Sequence, residues 1–243
     1  MAHQVEAFPA QSSFASLERD KTLYCGLKRG LDVVLAAVFL LVISPLLLLI
    51  ALCIQFDSTG PVIFRQERVG SRRRRRGGRT EWEVRTFTVY KFRTMTQNAD
   101  QSVHEAFIKA FVTGQVDGNR SATSSALYKL THDRRITGVG RLLRKTSLDE
   151  LPQLWNVVRG DMSLVGPRPV PVYETEQYKS WHWERLAATP GLTGLWQVRG
   201  RSQVSYDDMI RMDLDYLAHQ STWGDLKILL MTIPAVLLGR GAC

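Results

Sequence analysis

From Val33 to Phe56 the chain carries no formally charged residue. An apolar stretch of about 20 residues is long enough to cross a bilayer as a helix. A buried soluble helix seldom runs so long without a polar stripe. The pattern therefore predicts a membrane helix within 25–57. The run is too long for the core of a signal peptide, and no small-x-small cleavage site follows it. Ser44-Pro45 lies at its midpoint. Proline cannot donate to the helical ladder, and a neighbouring serine can serve the carbonyl that proline leaves free. Two readings follow: a spanning helix with a harmless kink, or a segment that bends and returns. Arg19, Lys21, Lys28 and Arg29 flank one end, and Arg65, Arg68 and Arg72 to Arg76 the other. Positive charge prefers the cytoplasmic side. Positive charge at both ends favours a re-entrant helix broken at Ser44-Pro45.

Residues 1–24 show no periodicity and read as a flexible arm. After the turn cluster Asp57-Ser58-Thr59-Gly60-Pro61, residues 62–66 and 83–95 are rich in β-branched and aromatic side chains and predict a hairpin. The arginine run and Gly77-Gly78 would form its basic, flexible tip. Phe87, Val89, Lys91 and Arg93 share one face by two-residue alternation. Residues 97–131 read as a mobile insertion with one helix around the apolar patch at 107–112. Ile136, Val139, Leu142 and Leu143 form a helical stripe. Residues 173–187 predict an amphipathic helix, and 195–201 a short strand ending in cations. Ser205 predicts a helix cap, and a last apolar helix starts near Trp223. The class is α+β, with 58–243 as one domain.

Lys and Arg number 32 against 23 Asp and Glu, a formal net charge of +9 over 243 residues. This favours anionic partners. Arg72, Arg73, Arg74, Arg75 and Arg76 could meet nucleic acid, anionic lipid headgroups or only solvent. Beside a membrane segment, lipid is favoured, and no nucleic-acid partner is expected. Cys25, Cys53 and Cys243 have no ligand spacing, which predicts reduced thiols and no zinc site.

The candidate chemistry sits in Lys145-Thr146-Ser147-Leu148-Asp149-Glu150-Leu151-Pro152-Gln153-Leu154-Trp155-Asn156. Ser147 and Glu150 have the spacing of a helix capping box. The sharper reading is that two carboxylates in a basic stretch manage charge around an anion or a metal. Pro152 suits a first helical turn and Gly160 a helix end. An aspartate held ionised there could be a nucleophile or a Mg²⁺ ligand. Arg168, between Pro167 and Pro169, is a backbone-restrained guanidinium suited to phosphate, or part of a rigid surface loop.

Together these stretches resemble the bacterial sugar transferase family, the monotopic polyprenyl-phosphate phosphoglycosyl transferases. The resemblance rests on Lys28-Arg29 with Asp32, Ser44-Pro45, Phe64-Arg65-Gln66, Tyr90 to Met95, Arg134/Arg135-Ile136-Thr137, Ser147 to Leu154, Gly160 to Pro169, Pro190 to Gly194, Gln197-Val198, Gly200-Arg201 and Asp225 to Ile228. Long motifs in fixed order are far more specific than one short pattern. The resemblance implies a re-entrant helix, amphipathic interfacial helices and a catalytic domain on the cytoplasmic face of the bacterial inner membrane. It implies a ping-pong transfer from a UDP-sugar to undecaprenyl phosphate, the first membrane step of exopolysaccharide or O-antigen assembly. Asp149 would be the nucleophile and Glu150 would hold Mg²⁺. Lys91, Arg93, Arg168 and Arg201 would meet phosphates, and Pro167, Pro169 and Gln197 would line the substrate site. Trp196 and Arg199 depart from the family's usual residues; the tryptophan resembles hexose-1-phosphate transferring members, with glucose or galactose as the sugar. The chain reads as the short, stand-alone form, with a homo-oligomer among the expected partners. The rivals are a membrane-tethered nucleic-acid-binding scaffold and a multi-spanning transferase without a covalent intermediate.

Overall fold

The computed structural model describes residues 21–76, 79–97, 102–114, 135–200 and 204–237. Most of the predicted flexible arm and most of the predicted insertion lie outside them. The apolar run forms α1, Thr22–Asp57. It is long and apolar enough to cross a membrane. The helix is not interrupted at Ser44-Pro45, because Ser44 Oγ donates to Leu41 O at 2.8 Å, the carbonyl that Pro45 cannot serve. Asp32, Ala36, Ile50 and Ile54 are buried, and Leu40, Ile43, Leu47 and Ala51 pack between them. These positions recur at helical spacing, so one face of α1 meets the body over ~33 Å at 1.5 Å per residue. Val34, Val38, Leu41, Val42, Leu48, Leu49 and Leu52 remain exposed on the other faces.

Polar groups fasten this contact line. Arg29 donates to Val157 O at 2.6 Å and Val158 O at 2.9 Å. Asp32 accepts from Ser163 Oγ at 2.6 Å and Leu164 N at 3.2 Å. Lys28 and Tyr24 both donate to Asp225 Oδ2, at 2.7 and 2.8 Å. Lys28, Arg29 and Asp32 thus serve attachment of the helix.

β1, Ile63–Arg76, pairs antiparallel with β2, Arg79–Phe92, in register from Ile63 opposite Phe92 to Arg76 opposite Arg79. The hairpin is longer than its apolar alternation predicts. The arginines belong to the strand and not to a loose tip, because Arg72 faces Glu83 and Arg74 faces Glu81 across the ladder. Arg74 also pairs with Glu83, and opposite charges across a ladder support it. A helix within the predicted insertion is present as α2, Ser102–Val112.

α3, Gly138–Thr146, is capped by Thr137, whose hydroxyl accepts from Gly140 N. Leu142 of the predicted stripe is exposed, whereas Leu143 is buried. A 3-10 turn, Leu148–Glu150, leads to α4, Gln153–Arg159. Gly160, at φ +86°, closes α4. β3, Ser163–Val165, pairs in parallel with β5, Gly191–Thr193, and the short β4, Val170–Pro171, adds to β1.

The predicted helix over 173–187 is split into α5, Val172–Thr175, and a 3-10 stretch, Ser180–Leu186. Residues 195–199, predicted as a strand, form helix α6, Leu195–Arg199. The strand role passes to Gly191–Thr193, which finds a partner in β3. Ser205 caps α7, Tyr206–Ala218, as predicted, and α8, Thr222–Leu237, closes the described chain. Trp223, Leu226, Leu230 and Ile233 form an exposed apolar row along α8.

Candidate active site

The turn that carries the paired carboxylates is set by Ser147. It ends α3 in the left-handed conformation, at φ 56°, the one non-glycine residue with positive φ among those described. Its side chain makes no cap hydrogen bond. The predicted capping box therefore does not form, because Ser147 is spent reversing the chain and Glu150 is drawn elsewhere.

Glu150 is clamped between two cations. Lys91 Nζ lies 2.7 Å from Oε1, and Arg168 Nη2 lies 2.6 Å from the same oxygen. Oε2 has a longer contact, 3.4 Å to Arg168 Nη1. Burial alone would raise the carboxyl's pKa, but the charges and hydrogen bonds of Arg168 and Lys91 together hold it far below the usual carboxylate range. Asp149 is handled differently. Burial pushes its carboxyl up, opposed by the charge of Lys91 and aided by that of Glu150. It makes no hydrogen bond or ion pair recorded among the described residues. Neighbouring carboxyls pushed apart in this way mark a division of labour: one locked as an anion, one left unpartnered.

Three elements bring these groups together. Lys91 comes from β2, whose Val89–Lys91 face points at the turn. β2 is the edge of its sheet, and Asn156 of α4 covers that edge. Its amide donates to Thr88 O at 2.7 Å and accepts from Tyr90 N at 3.2 Å, while the residue is wholly buried. One side chain thus locks α4 to β2 beside Lys91. Arg168 comes from the Gly166-Pro167-Arg168-Pro169 loop. Gly191 N donates to Pro167 O at 2.8 Å. A Cβ on Gly191 would sit 2.1 Å from Gly166 N. The two glycine motifs are therefore a backbone crossing that aims Arg168.

Other predicted site residues are placed elsewhere. Arg93 is buried beyond the end of β2, where the strand alternation stops. Its guanidinium donates to Ser58 O at 2.6 Å, Ser58 Oγ at 2.9 Å and Pro61 O at 2.8 Å. It ties down the chain leaving α1 and does not join the cluster, which corrects its expected place on phosphate. Pro169 lines the pocket beside Lys91 and Arg168. Gln197 sits on α6 with its amide donating to Leu192 O at 3.4 Å, away from that lining. Arg201 lies outside the described residues. Two further lining residues, Arg68 and Gln153, were not singled out from the sequence: Gln153 lies within the motif from Ser147 to Leu154 but carries no charge to mark it, and Arg68 reads as one more flanking charge.

The ordered motifs and their convergence on one turn match a known group. The model for "Bacterial sugar transferase" matches residues 23–239. The chain belongs to the bacterial sugar transferase family. Among bacterial sugar transferases and related curated proteins, it is 42% identical over 215 residues to the exopolysaccharide production protein ExoY of Rhizobium meliloti, covering 88% of this chain and 87% of that one. It is 42% identical over 218 residues to the UDP-glucose:undecaprenyl-phosphate glucose-1-phosphate transferase of Caulobacter vibrioides, covering 86% and 69%. It is 41% identical over 216 residues to the undecaprenyl-phosphate galactose phosphotransferase of Salmonella typhimurium, covering 89% of this chain and 41% of that longer protein. This bacterial sugar transferase chain therefore spans most of ExoY and about two fifths of the Salmonella protein.

The donor set can be tested against Mg²⁺. No group of three or more acidic, His or Cys side chains able to hold a metal occurs among the described residues. A magnesium ion is commonly held by one or two carboxylates plus substrate phosphates and waters. Asp149 and Glu150 fit that pattern, with Glu150 Oε2 the more available oxygen of its clamp.

Proposed function

We propose that this chain moves a sugar-1-phosphate from a UDP-sugar to a polyprenyl phosphate, undecaprenyl phosphate in bacteria, through a covalent intermediate on Asp149. The observation that carries the reading is the contrast in the turn: an unpartnered aspartate beside a glutamate held by Lys91 and Arg168. In the first step an Asp149 oxygen attacks the β-phosphorus. The bond from that phosphorus to the oxygen bridging the two phosphates breaks, and UMP leaves with the electron pair. In the second step a phosphate oxygen of the lipid attacks the same phosphorus, and the aspartate leaves. One transfer becomes two displacements at one centre. Lys91 and Arg168 stabilise charge on the transferring group. Mg²⁺ held by Glu150 would neutralise the diphosphate. Relatives named for glucose and galactose substrates support a hexose as the sugar.

The reading of the membrane arrangement rests on α1. A helix standing upright through the bilayer would carry the polar contacts of Asp32 and Arg29, or those of Asp57 and Arg93, into hydrocarbon. Val139 N donates to Asp57 at 2.9 Å, and Arg29 reaches α4 at the other end. Both ends bind one body, which supports a monotopic placement; a re-entrant course would require α1, continuous across Ser44-Pro45 here, to bend at that point, and the basic flanks favour the cytoplasmic face. Arg72 to Arg76, at the α1 end where Arg73 donates to Thr22, would meet anionic headgroups. The product would open exopolysaccharide or O-antigen-type synthesis.

The test is a single turnover with labelled UDP-glucose or UDP-galactose and no lipid. Wild type should release UMP and retain label on the protein. Asp149→Asn should lose both, by a factor of about 10³ or more, as expected when a covalent nucleophile is removed. Release of UMP by Asp149→Asn at the wild-type rate would sink the reading.

A further inference from the structure

The pocket beside the carboxylate turn is lined by Arg68, Val89, Lys91, Gln153, Arg168 and Pro169. Lys91 and Arg168 already serve Glu150. Arg68 does not. Its Nε and Nη2 donate to Gln66 Oε1 at 3.0 and 2.7 Å, and Nη1 donates to Pro169 O at 3.2 Å. Both acceptors are neutral, and no carboxylate lies within ion-pair distance of it among the described residues. Burial, with the charge of Arg168 beside it, pulls its pKa down to about 10, so it stays charged at neutral pH. Gln153 is 3% exposed, and its Nε2 has no hydrogen-bond partner. Buried donors are nearly always satisfied.

The balance of charge in the pocket is therefore unfinished. Three cations, Arg68, Lys91 and Arg168, face Glu150 and Asp149, and only Lys91 and Arg168 are in ion-pair contact with a carboxylate there, that of Glu150. A guanidinium does not shed its proton to correct this. A mobile anion corrects it, and a spare amide donor stands next to where it would lie.

We propose that Arg68 and Gln153 form a phosphoryl-anion subsite beside the Asp149–Glu150 turn. Arg68 supplies the uncommitted charge and Gln153 a directed donor. A guanidinium fork suits a phosphoryl group. The choice of phosphate over other anions rests on the transfer reaction proposed above. The phosphate could be the diphosphate of the donor or the monophosphate of the lipid acceptor.

The experiment uses the full chain in detergent, with inorganic pyrophosphate and inorganic phosphate as probes. Thermal midpoints are titrated for wild type, Arg68→Gln, Arg68→Lys and Gln153→Leu. Pyrophosphate should raise the wild-type midpoint. Arg68→Gln should bind it about tenfold more weakly or worse, as befits a lost charged hydrogen bond, and Arg68→Lys should keep part of the affinity. Arg68→Gln also frees Gln66 and Pro169 O, so it could fold poorly. Gln153→Leu removes a donor that has no partner, so it should keep or raise the unliganded midpoint while weakening pyrophosphate binding several-fold. Unchanged affinity in Gln153→Leu overturns the subsite even if Arg68→Gln does not fold.

The two half-reactions separate the sources. In Arg68→Lys or Gln153→Leu, slowed loading of Asp149 assigns the subsite to the donor diphosphate, and slowed discharge to the lipid phosphate. Both rates at wild-type values overturn the proposal. If wild type forms no adduct, yet its pyrophosphate shift is lost in the variants, the subsite stands and the transfer reading falls.

Discussion

Two ion clusters, one half-buried and one buried, meet near Arg168; Glu174 acts on cations of both, but grouped by contact they carry opposite surpluses. The pocket cluster sets Arg68, Lys91 and Arg168 against Asp149 and Glu150. The second cluster sets Arg185 alone against Asp213, 2.6 Å away, and Glu174, 3.9 Å away. Tyr206 and Tyr178 close on Glu174, at 2.6 and 3.5 Å. Arg185 also donates to Arg168 O at 3.4 Å, so the clusters share a wall. The second cluster can correct its negative excess from within, because a carboxyl can take up a proton. Burial raises Asp213 to about 6 even against the pull of Arg185. The pocket's excess is positive and rests on two guanidinium groups, which do not let go of a proton, and on Lys91, whose pKa burial lowers. An anion from outside would complete it with all three cations still charged. An ion cluster that closes itself is structural; one left with spare cations is a candidate binding site.

The sharpest way to break this comparison is to remove Arg185. Asp213 and Glu174 would be left buried without a counter-charge, and Arg185→Met should lose about 3–5 kcal/mol of stability in denaturant unfolding. A loss below about 1 kcal/mol would mean the second cluster is no more structural than a surface pair. A smaller effect is expected at Glu150. Glu150→Gln leaves Lys91 and Arg168 without their carboxylate and should cost about 1–3 kcal/mol. Because glutamate and phosphate compete for the same cations, pyrophosphate should raise the melting temperature of Glu150→Gln more than that of wild type. Equal rises would show that the clamp and the anion site are independent.

The smallest effect is a change of slope. Asp213 binds its proton more readily folded than unfolded, so its contribution is complete below about pH 4 and is lost as pH rises through about 6. Glu150 acts in the opposite sense, since its depressed pKa gives stability that disappears as pH falls below about 4. Asp213→Asn should flatten stability between about pH 4 and 6 and leave the acid limb in place. An unchanged profile in that window would contradict the raised carboxyl.

Much of the architecture was legible where one stretch decides its own fate. The apolar run, the Gly160 stop, the Ser205 cap and the core of the hairpin all follow from local pattern. Lys91, Glu150 and Arg168 were each singled out through ordered motifs, but as partners of phosphate and metal; that the two cations clamp the glutamate is visible only in the structure. What escaped depends on distant partners. Ser147 reverses the chain because α3 ends there, which its spacing to Glu150 conceals. Arg93 looks like a neighbour of Lys91 until β2 stops at Phe92. Residues 195–199 have strand-like composition, but Gly191–Thr193 reaches β3 first. Arg68 could be singled out only once Pro169, 101 positions away, is seen beside it.

The long contact line along α1 has a kinetic consequence. Fastened near Arg29 and again near Asp57, the helix is a keel and not a tether. With α1 in lipid, the body cannot lift away or swing freely, and its pocket stays at one height above the bilayer. Under the proposed transfer, encounter with the polyprenyl phosphate would be a search in two dimensions. Its rate would be governed by how densely that lipid populates the leaflet, while the sugar nucleotide would still arrive from three.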